Sequence, residues 1–258
     1  MTRQKLTIVK VGGNIIDDLK ATQIFLDKFS QLKENKILIH GGGKIATQIA
    51  ERLGLETVMV EGRRITDEPM LEVVVMVYGG LVNKKLVAKL QSLNCNAIGL
   101  TGADAQCILA KKREKGSIDY GFAGDIEKVN ATQFNFFLNN NLTPVIAPLT
   151  ADKNGQLLNT NADTMASAIA VALAPIYEVN LIFCFEKRGV LMDPDNEDSI
   201  IKTINKPSYI DLKNKGIISK GMVPKLENAF QAIEQGVSKV IICHAENLLN
   251  NIGTSLTL

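Results

Sequence analysis

The chain has 258 residues, of which 46% are apolar and 22% are charged, and its formal net charge is +2. This composition excludes a disordered chain and leaves room for one large α/β domain or two lobes. The small net charge predicts no nucleic-acid partner, and the densest basic cluster, residues 111–115, is interpreted as a solvated loop.

The cysteines and the hydropathy pattern narrow the class of protein further, because they indicate neither a secreted nor a membrane protein. The four cysteines have no ligand-like spacing, which predicts neither a metal site nor a disulfide. No secretory signal is recognisable, and no uncharged apolar stretch reaches the length of about 18 residues that a membrane span needs. We therefore expect a cytoplasmic protein without a membrane contact.

Short apolar runs alternate with longer helical patterns along the chain. In order, the sequence predicts a strand at 6–11, a helix at 21–32, a strand at 36–39, helices at 44–53 and 69–93, a strand at 97–100, a hairpin of 107–112 and 122–129, a strand at 143–147, a helix at 163–174, a strand at 181–185, a helix at 225–234 and a strand at 239–243. Near-continuous apolar strands are typical of a parallel sheet buried on both faces. The alternation therefore predicts an α/β fold, a three-layer αβα sandwich around a central, mainly parallel sheet.

A boundary between two lobes is predicted at residues 174–177, where a helix should end before the next strand. It divides the chain into an N-terminal lobe, 1–176, and a C-terminal lobe, 177–258. No internal repeat or low-complexity linker is present, so we expect the two lobes to share one sheet.

Two glycine-rich turns follow the first two predicted strands, KVGGN (10–14) and HGGGK (40–44). Glycine lets backbone N–H groups approach anionic oxygens, and the helix after each turn adds a partial positive charge. In an open parallel sheet, ligands bind beyond the carboxyl ends of the strands, where both turns lie. The alternative for either turn alone is a tight strand-to-helix connection. Neither turn fits the Walker or dinucleotide-binding pattern.

Two further segments combine polar residues with a predicted helix start. LNTNADT (158–164) carries Asn159, Asn161 and Asp163, and a helix cap explains one such residue but not three. SKGMVPK (219–225) places Lys225 where the helix dipole favours an anion over a lysine. One interpretation of Lys225 is a solvent-exposed side chain, and the other is a lysine that meets an anionic ligand.

Taken together, the ordered motifs resemble those of the amino-acid kinase family over nearly the whole chain. They are KVGGN (10–14), HGGGK (40–44), EGRRIT (61–66), MVYGGLVNKKLV (76–87), GLTGADA (99–105), GFAGDI (121–126), PVIAPL (144–149), NGQLLNTNAD (154–163) and KGMVPK (220–225). EGRRIT, VNK, GFAGDI and NTNAD resemble the branch that acts on N-acylated glutamate. The resemblance implies a carbamate kinase-like fold and an enzyme that uses ATP, with Mg²⁺ carried by the nucleotide. The expected reaction phosphorylates the side-chain carboxylate of N-acetyl-L-glutamate, giving N-acetylglutamyl 5-phosphate in arginine biosynthesis.

The resemblance also implies roles for individual residues. The expected catalytic residues are Lys10, Asp163 and Lys225, with Asp163 holding both lysines against the transferring phosphoryl group. The expected phosphate-binding N–H donors are Gly12, Gly13, Gly42 and Gly43, and the expected substrate-binding residues are Gly41, Gly42, Arg64 and Asn159. The expected nucleotide-binding residues are Glu186, Gly189, Val190, Gly216, Gly221 and Met222. The N-terminal lobe would bind the acylglutamate and form a dimer, and the C-terminal lobe would bind ATP.

Several positions depart from the family pattern. Glu186-Lys187-Arg188-Gly189 stands where Asp-Val-x-Gly is usual, and Ala103 stands where a lysine is common and so takes no role. His40 is interpreted as a structural, hydrogen-bonded histidine. Arginine-inhibited relatives carry an additional N-terminal helix, for which a strand that starts near Leu6 leaves no room. The resemblance therefore implies a homodimer that is insensitive to arginine.

Two alternative functions remain open from the sequence. The first is the same reaction on N-succinyl-L-glutamate, which would need a roomier pocket near Met76, Val77 and Tyr78. The second is a sensor that binds a nucleotide or an amino acid without turnover. A sensor would not need two lysines and an aspartate in these three motifs together.

Overall fold

The structure is a computed structural model, which describes residues 3–60, 62–219, 222–250 and 252–258. The first elements are β1 (Lys5–Val11), α1 (Gly13–Asp17), α2 (Leu19–Ser30), β2 (Asn35–His40), α3 (Gly43–Arg52), β3 (Met59–Val60), β4 (Arg63–Arg64), α4 (Glu68–Val74), α5 (Asn83–Ser92), β5 (Ala97–Leu100), β6 (Ile108–Lys112) and β7 (Ala123–Val129). They are followed by α6 (Ala131–Asn139), β8 (Thr143–Ile146), β9 (Leu149–Ala151), β10 (Leu157–Thr160), α7 (Ala162–Leu173), β11 (Glu178–Phe185), β12 (Thr203–Ile204), α8 (Lys206–Asn214), α9 (Met222–Glu234), β13 (Lys239–His244) and β14 (Gly253–Leu256). Within these ranges, no helix is both long enough and apolar enough to cross a membrane.

The central sheet has eight strands in the order β12-β14-β13-β11-β1-β2-β8-β5. Every neighbouring pair is parallel except β13 and β14, which are antiparallel. The prediction of a mainly parallel sheet is therefore confirmed. The strands after residue 176 form one contiguous half of this sheet, and the division into lobes 1–176 and 177–258 stays a prediction.

Strand β1 shows how the sheet places a lysine against a helix. Leu6 and Ile8 belong to the hydrophobic cluster that includes α7, whereas Val9 and Val11 belong to the cluster on the other face. Because successive side chains of a strand leave on opposite faces, Lys10 lies on the face that α7 covers. The apolar alternation of β1 thus directs its one buried charge toward the start of α7.

A small closed barrel of β6, β7, β9 and β10 packs beside the sheet. β6 and β7 are antiparallel, as the predicted hairpin of 107–112 and 122–129 requires. β10 leads through the cap Asn161 into α7, where the Asn161 side chain accepts a hydrogen bond from Thr164 N at 3.0 Å. The barrel therefore fixes both Asn159 on β10 and the first turn of α7.

The predicted helix 69–93 is not one regular α-helix. Its middle, Val75–Val82, is a π-helical segment between α4 and α5. π-Helical turns widen a helix and often occur at functional sites. Here the segment carries Tyr78, whose side chain is buried.

His40, at the end of β2, is fully buried and hydrogen-bonded through both ring nitrogens. Its Nδ1 lies 2.7 Å from Gly41 O, and its Nε2 lies 3.1 Å from Asn83 Nδ2, which also donates to Val145 O at 2.9 Å. Nδ1 therefore carries the proton and Nε2 accepts. Burial lowers the pKa of His40 to about 4. These contacts give His40 the structural role that the sequence predicts.

Candidate active site

The carboxyl ends of β1, β2 and β11 open into a cleft of about 730 Å³. A smaller cavity of about 180 Å³ adjoins the cleft and shares the Gly41–Gly43 turn and Arg64 with it. The cavity also reaches the barrel strands β7 and β10, through Gly124 and Asn159. The site thus has two compartments that meet at the second glycine turn.

Lys10 and Lys225 line the cleft, and Asp163 lies against both of them, so the structure brings the three predicted residues together. Lys10 Nζ lies 2.9 Å from Asp163 Oδ1, and Lys225 Nζ lies 3.4 Å from Asp163 Oδ2. Burial would raise the pKa of Asp163, but the two lysines outweigh it and hold that pKa below its usual value. Burial lowers the pKa of Lys225, against the attraction of Asp163. The cluster carries a net positive charge in a largely buried place, which suits an anionic ligand.

The glycine turns present backbone N–H groups to the cleft. Within the described residues, the N–H groups of Gly13, Gly42 and Gly43 donate to no carbonyl. A Cβ added at Gly13 would lie 3.8 Å from both Gly42 N and Gly43 N, so the three donors surround one small space. The start of α3 adds a partial positive charge there. This arrangement is suited to bind phosphate oxygens.

The prediction of Gly12 as a phosphate-binding donor needs correction, and the substrate contact of Gly41 stays a prediction. The N–H of Gly12 donates to Cys184 O at 3.0 Å and continues the β1–β11 ladder, so it is not free for a phosphate oxygen. The N–H of Gly41 likewise donates to Val11 O at 3.0 Å. Both glycines line the cleft, but their contribution is close backbone approach: a Cβ at Gly41 would lie 3.0 Å from Gly13 N.

The smaller cavity contains the predicted substrate residues Arg64 and Asn159. The Arg64 guanidinium is buried, and its Nη2 donates to Gly43 O and to Thr47 Oγ1, each at 2.8 Å. Its Nη1 donates to Thr57 Oγ1 at 3.2 Å and lies 3.8 Å from Met70 Sδ. Asn159 Nδ2 donates to Thr66 Oγ1 at 3.0 Å. The side-chain carbonyl oxygen of Asn159 is therefore available to accept hydrogen bonds from other donors.

Comparison with known proteins decides the family. The model of the amino acid kinase family matches residues 5–244 of the chain. The chain belongs to the amino acid kinase family. It is 58% identical over 256 residues to a Cytophaga hutchinsonii protein named acetylglutamate kinase, with 99% of this chain and 97% of that protein covered. The predicted resemblance is therefore confirmed.

Solved structures of other proteins share the amino acid kinase fold of this chain. A Streptococcus mutans protein superposes with a TM-score of 0.82 at 27% identity, covering 98% of each chain. A carbamate kinase from Giardia lamblia bound to AMP-PNP superposes with a TM-score of 0.71 at 13% identity, covering 99% of each chain. The predicted fold class, including its likeness to carbamate kinase, is thus confirmed.

Of the nucleotide residues expected for an amino acid kinase, Glu186 lines the cleft. Its Oε1 accepts from Asn14 Nδ2 at 2.7 Å, a contact that the sequence did not predict. Met222 begins α9, Gly216 lies in the turn after α8 with a positive φ of 73°, and Gly221 lies outside the described residues. Lys220 and Glu61, from two of the family motifs, also lie outside them.

Gly189 and Val190 have packing contacts instead of a place in the cleft lining. The N–H of Val190 donates to Thr254 Oγ1 at 2.8 Å, and the side chain of Val190 is buried. A Cβ at Gly189 would lie 2.8 Å from Thr254 Oγ1. Both residues pack closely against β14, and their role in nucleotide binding stays a prediction.

Tyr78 lies where the sequence suggested, whereas Arg113 does not. Tyr78 lines the cavity, and a Cβ at Gly42 would lie 3.0 Å from its ring, whereas the neighbouring Met76 is 55% exposed. Arg113 also lines the cavity, so the interpretation of 111–115 as a purely solvated loop is wrong for this residue. Its local sequence resembles a surface loop, and its place depends on how the barrel closes.

Proposed function

We propose that this chain is a kinase that transfers the γ-phosphoryl group of ATP to the side-chain carboxylate of N-acetyl-L-glutamate, giving N-acetylglutamyl 5-phosphate in arginine biosynthesis. The observation that carries the proposal is the Lys10–Asp163–Lys225 cluster, which lies where an anion-binding cleft adjoins a cavity lined by arginines. The relative in Cytophaga hutchinsonii, named acetylglutamate kinase, supports the choice of acceptor.

The chemistry explains why lysines and N–H groups suffice. An oxygen of the substrate carboxylate attacks the γ-phosphorus in line, the bond between that phosphorus and the β–γ bridging oxygen breaks, and ADP leaves with the electron pair. The carboxylate is already ionised, so no general base is required. The obstacle is repulsion between two anions, and positioning with charge stabilisation removes it. Lys10 and Lys225 supply the charge, and Asp163 fixes their orientation.

The two compartments suggest which ligand lies where. The larger cleft, with Gly13, Gly42, Gly43 and both lysines, would take the phosphates of ATP, and Glu186 would lie near the nucleotide. The smaller cavity would take the acylglutamate, with its reactive carboxylate toward the glycine turn. Arg64 and Asn159 would then contact the far end of that substrate.

Magnesium fits this site as a companion of the nucleotide. Among the described residues, no group of three or more His, Cys, Asp or Glu side chains is placed to hold a metal ion. Mg²⁺ prefers to keep its waters and to bind substrate phosphates, often with one or two carboxylates. When it accompanies the nucleotide, it would neutralise phosphate charge beside Lys10 and Lys225.

The test is to trap the acyl phosphate with hydroxylamine. The reaction contains ATP, Mg²⁺ and either N-acetyl-L-glutamate or N-succinyl-L-glutamate, and the hydroxamate is measured with the wild type and with Lys10→Ala. We expect hydroxamate from the acetyl compound with the wild type and almost none with the variant. Product from the succinyl compound alone would overturn the choice of acceptor, and ATP binding without product from either compound would favour the sensor.

The homodimer, its insensitivity to arginine and the cytoplasmic location are further parts of the proposal. Sedimentation equilibrium of the purified chain tests the first, with an expected mass of two protomers. Addition of millimolar arginine to the hydroxamate assay tests the second, with no change in rate expected. A mass near six protomers together with inhibition would contradict both.

A further inference from the structure

Arg113 follows β6 and reaches the wall of the acylglutamate cavity from the barrel. Its Nε lies 3.1 Å from Asp125 Oδ1 and 3.2 Å from Asp125 Oδ2, and its Nη2 also donates to Oδ1. Its guanidinium carbon lies 5.4 Å from the centre of the Tyr120 ring. The Asp125 carboxylate binds one edge of the guanidinium, and the Tyr120 ring packs near it. Together they hold the guanidinium in one orientation.

This orientation leaves hydrogen-bond donors of Arg113 unused. A guanidinium has five N–H groups, and Asp125 occupies the Nε edge. In the described part of the chain, Nη1 of Arg113 donates to no acceptor. Arg64 differs, because both of its Nη atoms already have protein acceptors in Gly43, Thr47 and Thr57. Of these two arginines, Arg113 therefore has the more available donors.

The positive charge of the cavity lining is suited to bind a carboxylate of the substrate. Its lining includes Arg63, Arg64 and Arg113, and among the described lining residues there is no aspartate or glutamate. The proposed substrate carries two carboxylates, and the one that is phosphorylated must point toward Lys10 and Lys225. The other, the α-carboxylate, must then find its cations deeper in the cavity.

A purely structural role does not account for this pair. The backbones of β6 and β7 are already joined by ladder pairs such as Lys112↔Gly124, and Arg113 N donates to Ala123 O at 2.8 Å. Asp125 is 39% exposed, and partly exposed ion pairs contribute little to stability. The hairpin does not need the Arg113 side chain to stay closed.

We propose that Arg113 is a substrate-binding residue that contacts the α-carboxylate of the acylglutamate, and that Asp125 is the positioning residue that aims it. The inference rests on the proposed function, since it assigns a contact to that substrate. It adds a barrel residue to a cavity whose other cations, Arg63 and Arg64, form β4.

The experiment compares two substrates and three proteins. The wild type, Arg113→Ala and the charge-matched control Lys111→Ala, two residues earlier in β6 and at an exposed ion pair, are assayed for hydroxamate formation. The substrates are N-acetyl-L-glutamate and its α-amide, which lacks the α-carboxylate. With the first, Arg113→Ala should lower kcat/KM by about 10- to 100-fold, mostly through KM, because a charged hydrogen bond is lost. With the α-amide, the same variant should behave within about threefold of the wild type, since neither protein makes that bond.

A further variant tests the positioning role. Asp125→Asn keeps the size of the side chain and should raise KM for N-acetyl-L-glutamate less than Arg113→Ala does, with kcat and thermal stability unchanged. Equal losses of Arg113→Ala on N-acetyl-L-glutamate and on its α-amide would overturn the α-carboxylate contact. If the wild type does not turn over N-acetyl-L-glutamate, the proposed function itself fails; if it does and Arg113→Ala matches it, this inference alone fails.

Discussion

The ammonium group of Lys225 lies 3.4 Å from the carboxylate of Asp163, although the two residues belong to different helices. Lys225 is largely buried and also lies 5.3 Å from the centre of the Phe185 ring. Burial favours the neutral amine, and the nearby Lys10 does so as well, while Asp163 favours the charged form. Asp163 therefore keeps Lys225 protonated where a phosphoryl group would need its charge.

Asp163→Asn should move the alkaline limb of the kcat–pH profile to lower pH. Without the carboxylate, burial and Lys10 lower the pKa of Lys225 further, and a lysine loses its proton above its pKa. The charge needed for catalysis is then lost at a lower pH than in the wild type. The profile is measured by hydroxamate formation, with the exposed Asp211→Asn as control. An alkaline limb at the same pH in both variants would contradict the role of Asp163.

Lys10→Ala should lower kcat by about 10²–10³, or about 2.7–4 kcal/mol of transition-state stabilisation, by analogy with the loss of one oxyanion donor. Lys10 lies 2.9 Å from Asp163, so the variant also leaves that carboxylate with one cation fewer. Single-turnover rates with saturating ATP separate this loss from weaker binding. Lys213→Ala, which removes a surface cation paired with Glu227, should leave kcat unchanged. A Lys10→Ala protein that keeps more than about a tenth of kcat would remove Lys10 from the transition state.

Gly13→Ala should fold normally and lose activity. An added Cβ has room at Gly13, but it would stand 3.8 Å from Gly42 N and Gly43 N, where a phosphate oxygen should bind. We expect a higher KM for ATP and a lower kcat, together with an unchanged melting temperature. Gly116→Ala is the matched control, since a Cβ there meets nothing within 4 Å. Unaltered kinetics of Gly13→Ala would show that phosphate binds elsewhere.

The stability of the protein should depend on pH through His40. Burial lowers the pKa of His40 to about 4, whereas an unfolded histidine titrates near its ordinary value of about 6.5. Between these values the unfolded state binds a proton that the folded state does not, so the free energy of unfolding falls as the pH is lowered, by up to about 3 kcal/mol. Urea unfolding at several pH values measures it. His40→Gln should flatten this dependence, and an unchanged slope in that variant would contradict the role of His40.

The sheet strands and the glycine turns could be predicted from the sequence because their signals are local. A parallel strand buried on both faces appears as an apolar run, and β1, β2, β11 and β13 all lie within a few residues of the predicted ranges. Helix α8 was missed for the opposite reason. Tyr209 and Leu212 are its only buried residues, and its other apolar side chain of any size, Ile210, is exposed, so no apolar stripe marks the helix. Its start is set by the capping pair Asn205 and Ser208, a short and common pattern.

The site was predictable in its charges but not in all of its contacts. The lysines and Asp163 stand in ordered motifs, and each motif can be recognised without knowing the fold. The hydrogen bond from the Gly12 N–H to Cys184 O depends on the register between β1 and β11, which pairs Val11 with Cys184. The place of Arg113 depends on closure of the barrel, because β6 must pair with β7 before its following residue reaches the cavity. Such contacts follow from long-range pairing and leave no local trace.

The position of β1 in the sheet has a consequence for biosynthesis. β1 lies between β2 and β11 in the sheet. During synthesis β2 can pair with one edge of β1 early, whereas the other edge stays unpaired until β11 leaves the ribosome much later. Until then an apolar strand has an open edge, which is a template for unwanted pairing between chains. Folding dominated by such distant pairings is slow. A chaperone that covers this edge during synthesis should therefore raise the yield of native protein in a heterologous host.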